Sequence, residues 1–162
     1  MDYTSRSDRT ALVVDDDVFM VSALAELLEE DGYDVHTATN GFSALRQVME
    51  FRPAVVLLDL ALPERSGSDL LRDLRADPTT RDLAIVVVTG HPDGLSDSQL
   101  AETDGFLSKP FDNMDLRATV QRAVVRAAIR RAEVAPVTAT THASPPLRVR
   151  RTANARRTRG RR

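Results

Sequence analysis

The chain has 162 residues and no cysteine. That excludes a disulfide frame and any thiolate metal site. No apolar run approaches the ~20 residues of a membrane span. Met1 to Thr10 is polar and mixed in charge, without the h-region of a secretory signal. These absences indicate a soluble, cytoplasmic protein with no membrane association. Lysine is almost missing: Lys109 stands alone, and the other 21 of the 22 basic residues are arginine. In a chain that so favours arginine, one lysine marks a place where a compact ammonium fits and a broad guanidinium does not. Acid is missing from the C-terminal stretch: all 24 acidic residues fall at or before Glu133, while eight arginines follow it. The body therefore carries a net charge of −10 and the tail +8, which implies two separate roles.

What is present is a strand–helix alternation repeated five times. Ala11–Val14 is a short apolar run followed by Asp15-Asp16-Asp17. Val18, Val21, Leu24, Leu27 and Leu28 then recur at helical spacing, with Asp17 placed to cap and Gly32 to stop the helix. Residues 33–38 alternate as a half-buried strand does. Asn40 opens a second helix with Ala44, Leu45 and Val48 inward, and Pro53 ends it. Ala54–Leu58 is apolar throughout and runs into Asp59. Ser66 or Ser68 opens a third helix bearing Leu70, Leu71 and Leu74, which ends at Asp77-Pro78. Leu83–Val88 is apolar again and delivers Thr89. Residues 92–103 have few apolar anchors and predict a short, weakly held helix. Phe106–Ser108 ends at Lys109-Pro110. Asp112 then caps a last helix with Leu116, Val120, Ala123, Val124 and Ala127 inward, which frays before Pro136.

This alternation predicts an α/β fold: a flavodoxin-like, doubly wound, five-stranded parallel sheet with helices on both faces. The runs that are apolar throughout belong in the centre, and the mixed or short ones at 33–38 and 106–108 belong at the edges. The order 2-1-3-4-5 meets that requirement, and its reversal point places the ligand crevice between strands one and three. Asp15, Asp16 and Asp59 then share one crevice. Three converging carboxylates either rise in pKa or surround a cation, and an oxygen-only set suits Mg2+ or Mn2+. Strands four and five bring the Thr89 hydroxyl and the Lys109 ammonium to the same rim, where they could neutralise a transferring phosphoryl group.

At these residues the sequence resembles the receiver domain of two-component response regulators. The resemblance rests on Leu-Val-Val-Asp-Asp-Asp at 12–17, Leu-Leu-Asp-Leu-Ala-Leu-Pro at 57–63 with Gly67 beyond it, Val-Val-Thr-Gly at 87–90 and Phe-Leu-Ser-Lys-Pro-Phe at 106–111, and covers about residues 10–131. It implies Asp59 as phospho-acceptor and Asp15 and Asp16 as the acidic pair. It further implies Asp16, Asp59 and the Ala61 carbonyl as Mg2+ ligands, Lys109 as the phosphoryl partner, Thr89 and Phe106 as the switch pair, and a cis peptide before Pro110. The partner it implies is a sensor histidine kinase or a phosphotransfer protein, and the chain would be a switch rather than a turnover enzyme. A pseudo-receiver, the same fold used only for binding, usually lacks one of these groups. A metal-dependent phosphatase would need a second nucleophile or base, and His36 reads as a strand side chain while His142 lies in the tail. The interval from Thr89 to Lys109 is shorter than is usual in the family. His91 stands near the switch threonine, and the plainer reading is a solvated loop residue.

The expected organisation is a flexible leader at 1–9, the receiver unit at 10–133 and a disordered Arg-rich tail at 134–162. The tail is too short for a winged-helix or helix-turn-helix domain. The plain reading is a solvated, solubilising tail; its arginines would also attract phosphates or acids, so nucleic acid, an acidic partner or the acidic body itself is a candidate, and Arg159-Gly160-Arg161 is a weak likeness to an AT-hook centre.

Overall fold

The computed structural model describes residues 9–134. The expected leader and disordered tail therefore lie almost wholly outside the described residues. Five strands, β1 (Thr10–Val14), β2 (Asp34–Ala38), β3 (Val55–Leu58), β4 (Ala84–Thr89) and β5 (Gly105–Ser108), alternate with five α-helices. These are α1 (Val18–Glu30), α2 (Gly41–Phe51), α3 (Gly67–Ala76), α4 (Asp97–Ala101) and α5 (Asn113–Val134). The strands form one parallel sheet in the expected order β2-β1-β3-β4-β5.

Side-chain alternation along each strand divides the core in two. Ala11, Val13, Val55, Leu57 and Val86 face α1 and α5, where Val21, Leu24, Leu28, Leu116 and Val120 meet them. Leu12, Val14, Val56, Leu58 and Ile85 face α2 and α3, where Ala44, Val48, Leu70, Leu71 and Leu74 meet them. The central strands are buried at every position, which is why they read as unbroken apolar runs. The edge strands β2 and β5 are partly exposed.

The helices differ in how firmly they are held. The three buried leucines of α3 contribute about 2 kcal/mol each by burial. α4 buries no residue and is held by a capping box between Ser96 and Gln99, worth about 1 kcal/mol, and by the bond that Gln99 Nε2 donates to Ser68 Oγ of α3 at 2.8 Å. The segment from 92 to 101 is thus the weakly held one, as expected. One expectation is corrected: Val18 was placed on the inner face of α1 but is 58% exposed. Asp17 caps the helix through the N–H groups of Phe19 and Met20, so Val18 is its first residue, out on the sheet rim, and the buried stripe starts at Val21. Asn40, Ser66 and Asp112 make the remaining expected helix-start bonds, to the N–H groups of Ser43, Asp69 and Asp115.

At the opposite end of the sheet, Asp104 gathers a second set of charges. Its carboxylate accepts from Arg75, from Arg130 and from the Ile85 N–H. This pins α3, β4, β5 and α5 together around a buried acid that carries two arginines. Among the described residues, no helix is long and apolar enough to cross a membrane.

Candidate functional site

In register, Val14 lies beside Leu58, and Leu58 beside Val87. The residues that follow these strands therefore emerge on one rim. The Asp59 N–H bonds the Val14 carbonyl at 2.9 Å, and the Lys109 N–H bonds the Thr89 carbonyl at 2.8 Å. Backbone pairing thus carries past the strand ends and fixes where the functional side chains begin. Asp15, Asp16 and Asp59 each offer a carboxylate oxygen, all within 4.8 Å of one another. Asp15 and Asp59 are buried, at 2% and 6% exposure, and Asp16 is exposed. Lys109 Nζ bridges the two buried acids, 2.6 Å from Asp15 Oδ2 and 3.1 Å from Asp59 Oδ2. The second oxygens are held by backbone: Asp15 Oδ1 accepts from the Asp17 N–H at 2.9 Å, and Asp59 Oδ1 from the Ala61 N–H at 3.0 Å.

One ammonium among three carboxylates leaves an excess of negative charge on an oxygen-only donor set, the arrangement hard divalent cations take. Burial pushes the Asp15 carboxyl above its ordinary value; the charge of Asp59 adds to this, and bonding to Lys109 and the Asp17 N–H only partly opposes it. Burial acts against the Lys109 ammonium, but Asp15 and Asp59 outweigh it and hold the amine above its ordinary range. Folded Asp15 therefore binds its proton more tightly than the unfolded chain does. Its contribution to stability is complete below the ordinary carboxyl range and is lost as pH rises through the raised value. In metal-free buffer, Asp15→Asn is expected to match the parent in urea denaturation near pH 3 and to exceed it increasingly toward pH 7. A variant less stable at neutral pH than in acid, relative to the parent, would contradict that assignment.

Thr89 is buried, and its Oγ1 accepts the His91 N–H at 3.1 Å. The hydroxyl oxygen is thus engaged with its own loop. The His91 side chain is exposed. A cavity of about 210 Å3 opens over Ala61, Thr89, His91 and Ser68. Phe106 is half-buried on β5. The Lys109–Pro110 peptide is cis, as the resemblance implied. Of the site residues expected from sequence, Asp15, Asp16, Asp59 and Lys109 form one cluster, Thr89 and Ala61 border it, and Phe106 lies on β5 beside Val87.

Two features of the site went unread in the sequence. Gly67 lies so close to the acceptor strand that a Cβ there would sit 2.1 Å from the Asp59 carbonyl oxygen. The sequence shows its spacing from Asp59 but not the contact behind it. Arg65 lies over the Phe42 ring, its guanidinium carbon 5.7 Å from the centroid, and pairs with Asp73. Nothing local joins residues 42, 65 and 73.

The family model for the response regulator receiver domain matches residues 11–121. The DNA-binding response regulator MtrA of Mycolicibacterium paratuberculosis is 38% identical over 127 residues, covering 77% of this chain and 53% of that protein. The response regulator PleD of Caulobacter vibrioides is 36% identical over 113 residues, 68% of this chain and 25% of that one. This chain therefore spans about half the length of MtrA and a quarter of PleD. Among solved structures, a response regulator receiver domain protein from Clostridium thermocellum superposes with a TM-score of 0.67 at 29% identity, covering 75% of this chain and 98% of that one. The response regulator TrrA of Thermotoga maritima, in complex with Mg2+ and BeF, gives 0.66 at 30% identity, covering 71% and 98%.

Proposed function

The chain belongs to the response regulator receiver domain family, and from that premise we propose that residues 10–133 form a phospho-accepting switch with Asp59 as the acceptor. The observation that carries this reading is the Lys109 bridge, which seats one ammonium between Asp15 and Asp59. The oxygen-only trio of Asp15, Asp16 and Asp59 fits Mg2+ or Mn2+. Asp16, Asp59 and the Ala61 carbonyl would hold the ion, which when bound supplies positive charge against the phosphoryl oxygens.

In the proposed reaction an Asp59 carboxylate oxygen attacks the phosphorus of a phosphohistidine. The P–N bond breaks, the imidazole leaves with the electron pair, and an acyl phosphate forms on Asp59. The Ala61 N–H holds Oδ1 and Lys109 holds Oδ2, so the carboxylate is oriented before a donor arrives. Phosphorylation moves the negative charge from the Asp59 carboxylate to the phosphoryl oxygens, which frees one bond of Lys109 for one of them. Water later cleaves the acyl phosphate. Each chain passes one phosphoryl group per cycle, so it works as a switch rather than a turnover enzyme.

The readout begins at Thr89. Turning its hydroxyl toward the phosphoryl group breaks the His91 N–H bond, worth about 1 kcal/mol net. A bond to a group carrying a charge of about −2 is roughly twice as strong, so the turn is favoured once Asp59 is phosphorylated. Phe106 would then move inward. The 92–101 segment, which buries no residue, is the part free to follow. The proposed donor is a cytoplasmic sensor histidine kinase or phosphotransfer protein, and the proposed switched surface is 90–111. The acidic pair, acceptor and lysine are all present, so nothing favours a pseudo-receiver.

The test is incubation with a small acyl-phosphate donor and Mg2+. The parent is expected to gain one phosphoryl group and Asp59→Asn none, measured by intact mass. Label that persists in Asp59→Asn places the acceptor elsewhere.

A further inference from the structure

The loop between β3 and α3 carries Ala61, whose N–H orients the Asp59 carboxylate. A loop of this kind needs something to fix its distance from the cluster, and two contacts do so. At its far end Gly67 lies against Asp59 and Leu60. In its middle Arg65 reaches sideways to α2. The Arg65 side chain is only 17% exposed, although it is charged and the loop is on the surface. Its guanidinium lies over the Phe42 ring and pairs with Asp73 on α3. The Arg65 backbone is held as closely: a Cβ on Gly41, the first residue of α2, would come within 2.8 Å of the Arg65 carbonyl oxygen. Glu64, just before it, has φ of 64°, a left-handed conformation that a non-glycine residue adopts only when its surroundings enforce it. The Arg65 N–H closes the turn onto the Pro63 carbonyl at 2.8 Å.

We propose that Arg65, clamped between Phe42 and Asp73, is a positioning residue that sets the Ala61 end of the loop at the acidic cluster and so tunes divalent-cation affinity and phosphoryl acceptance. The inference rests on the reading of Asp59 as the acceptor. Arg65 makes no bond to Asp15, Asp16, Asp59 or Lys109, so its effect passes through the loop. A planar guanidinium satisfies both partners at once, one through its face and one through its edge; neither an ammonium nor an apolar chain does both.

The test compares the full chain with Arg65→Ala, Phe42→Ala, their double variant and Arg65→Lys. Affinity for Mg2+ is read by calorimetry and for Mn2+ by electron paramagnetic resonance. Exchange of the Ala61 amide is read by NMR in metal-free protein, and urea midpoints control for folding. Arg65→Ala is expected to weaken cation binding about tenfold, the low end for groups that orient metal ligands, and to speed Ala61 amide exchange. Phe42→Ala should reproduce most of that loss. The double variant should be no worse than Arg65→Ala, because the two residues act as one unit. Arg65→Lys should fall between. If Arg65→Ala and Phe42→Ala bind the ion and protect the Ala61 amide as the parent does, the positioning role is wrong while the acceptor reading survives. A loss proportional to the fall in urea midpoint across all the variants would likewise reduce Arg65 to a general stabiliser. If the parent itself neither binds the ion nor accepts a phosphoryl group, both readings fall together.

Discussion

Lys109→Met is expected to destabilise the metal-free chain by about 3 kcal/mol at neutral pH, at the low end for breaking a buried ion pair. The substitution keeps much of the side chain's volume and removes the ammonium that Asp15 and Asp59 share. What remains is two buried carboxylates side by side, with a third within 4.8 Å. The cost does not reach the top of the range for two reasons. Lys109 is itself a fifth exposed, and Asp15, already held above its ordinary value by burial, can take up a proton instead of staying charged. The deficit should therefore shrink as the pH is lowered toward the carboxyl range, since protonated acids no longer need the cation. Added Mg2+ should recover more stability in Lys109→Met than in the parent, because it restores positive charge to the same oxygens. Phosphoryl acceptance should not recover with it, since the ion replaces the charge but not its position. Thermal denaturation with and without Mg2+, alongside phosphorylation by a small donor, separates these effects. A variant as stable as the parent at pH 7 without metal would mean that the bridge contributes nothing.

Lys109 also shows how much of the site was legible in the sequence. A lone lysine in an arginine-rich chain singles itself out, and a run of buried apolar residues ending in aspartate announces a charge at a strand end. Both signals are local, and the sheet order follows from which strands are apolar throughout. Asp15, Asp16, Asp59 and Lys109 could thus be brought together without coordinates. The Asp104 network gives no comparable signal. Its partners Arg75 and Arg130 lie 29 and 26 residues away, and one aspartate among 24 acidic residues and two arginines among 22 basic ones do not stand out. Arg65 is hidden for the same reason. Val18 reads as inward but is exposed, because helical periodicity defines a face but not where the sheet beneath it ends. The capping box of Ser96 and Gln99 has a legible spacing, but without an apolar run behind it that spacing does not stand out.

Gly67→Ala is the second large effect, and it separates close packing from charge. An alanine Cβ would lie 2.1 Å from the Asp59 carbonyl oxygen and 2.6 Å from the Leu60 Cα. Both are backbone atoms, and neither can rotate aside. Either the start of α3 retreats, which breaks the Gly67 N–H bond to the Leu60 carbonyl at 3.0 Å, or the acceptor strand shifts at Asp59. The first route pulls on the loop that carries Ala61, and the second moves the carboxylate itself, so either one disturbs the contact between Asp59 and the Ala61 N–H. The expected loss is about 3 kcal/mol, the upper part of the range for overpacking, because no side-chain rearrangement can absorb the added carbon. Phosphoryl acceptance should fall further than the unfolded fraction alone explains, since chains that remain folded carry a displaced acceptor. Gly94→Ala provides the contrast. Nothing lies within 4 Å of a Cβ there, and restricting the unfolded chain should leave it neutral or stabilised by up to about 1 kcal/mol. Urea denaturation of both variants, with labelling measured on the folded fraction, distinguishes a general cost of replacing glycine from a specific cost of crowding Asp59. Equal behaviour of the two variants would mean that the β3–α3 loop can approach the acceptor in more than one way. The acceptor geometry would then depend on Lys109 and the Ala61 N–H alone.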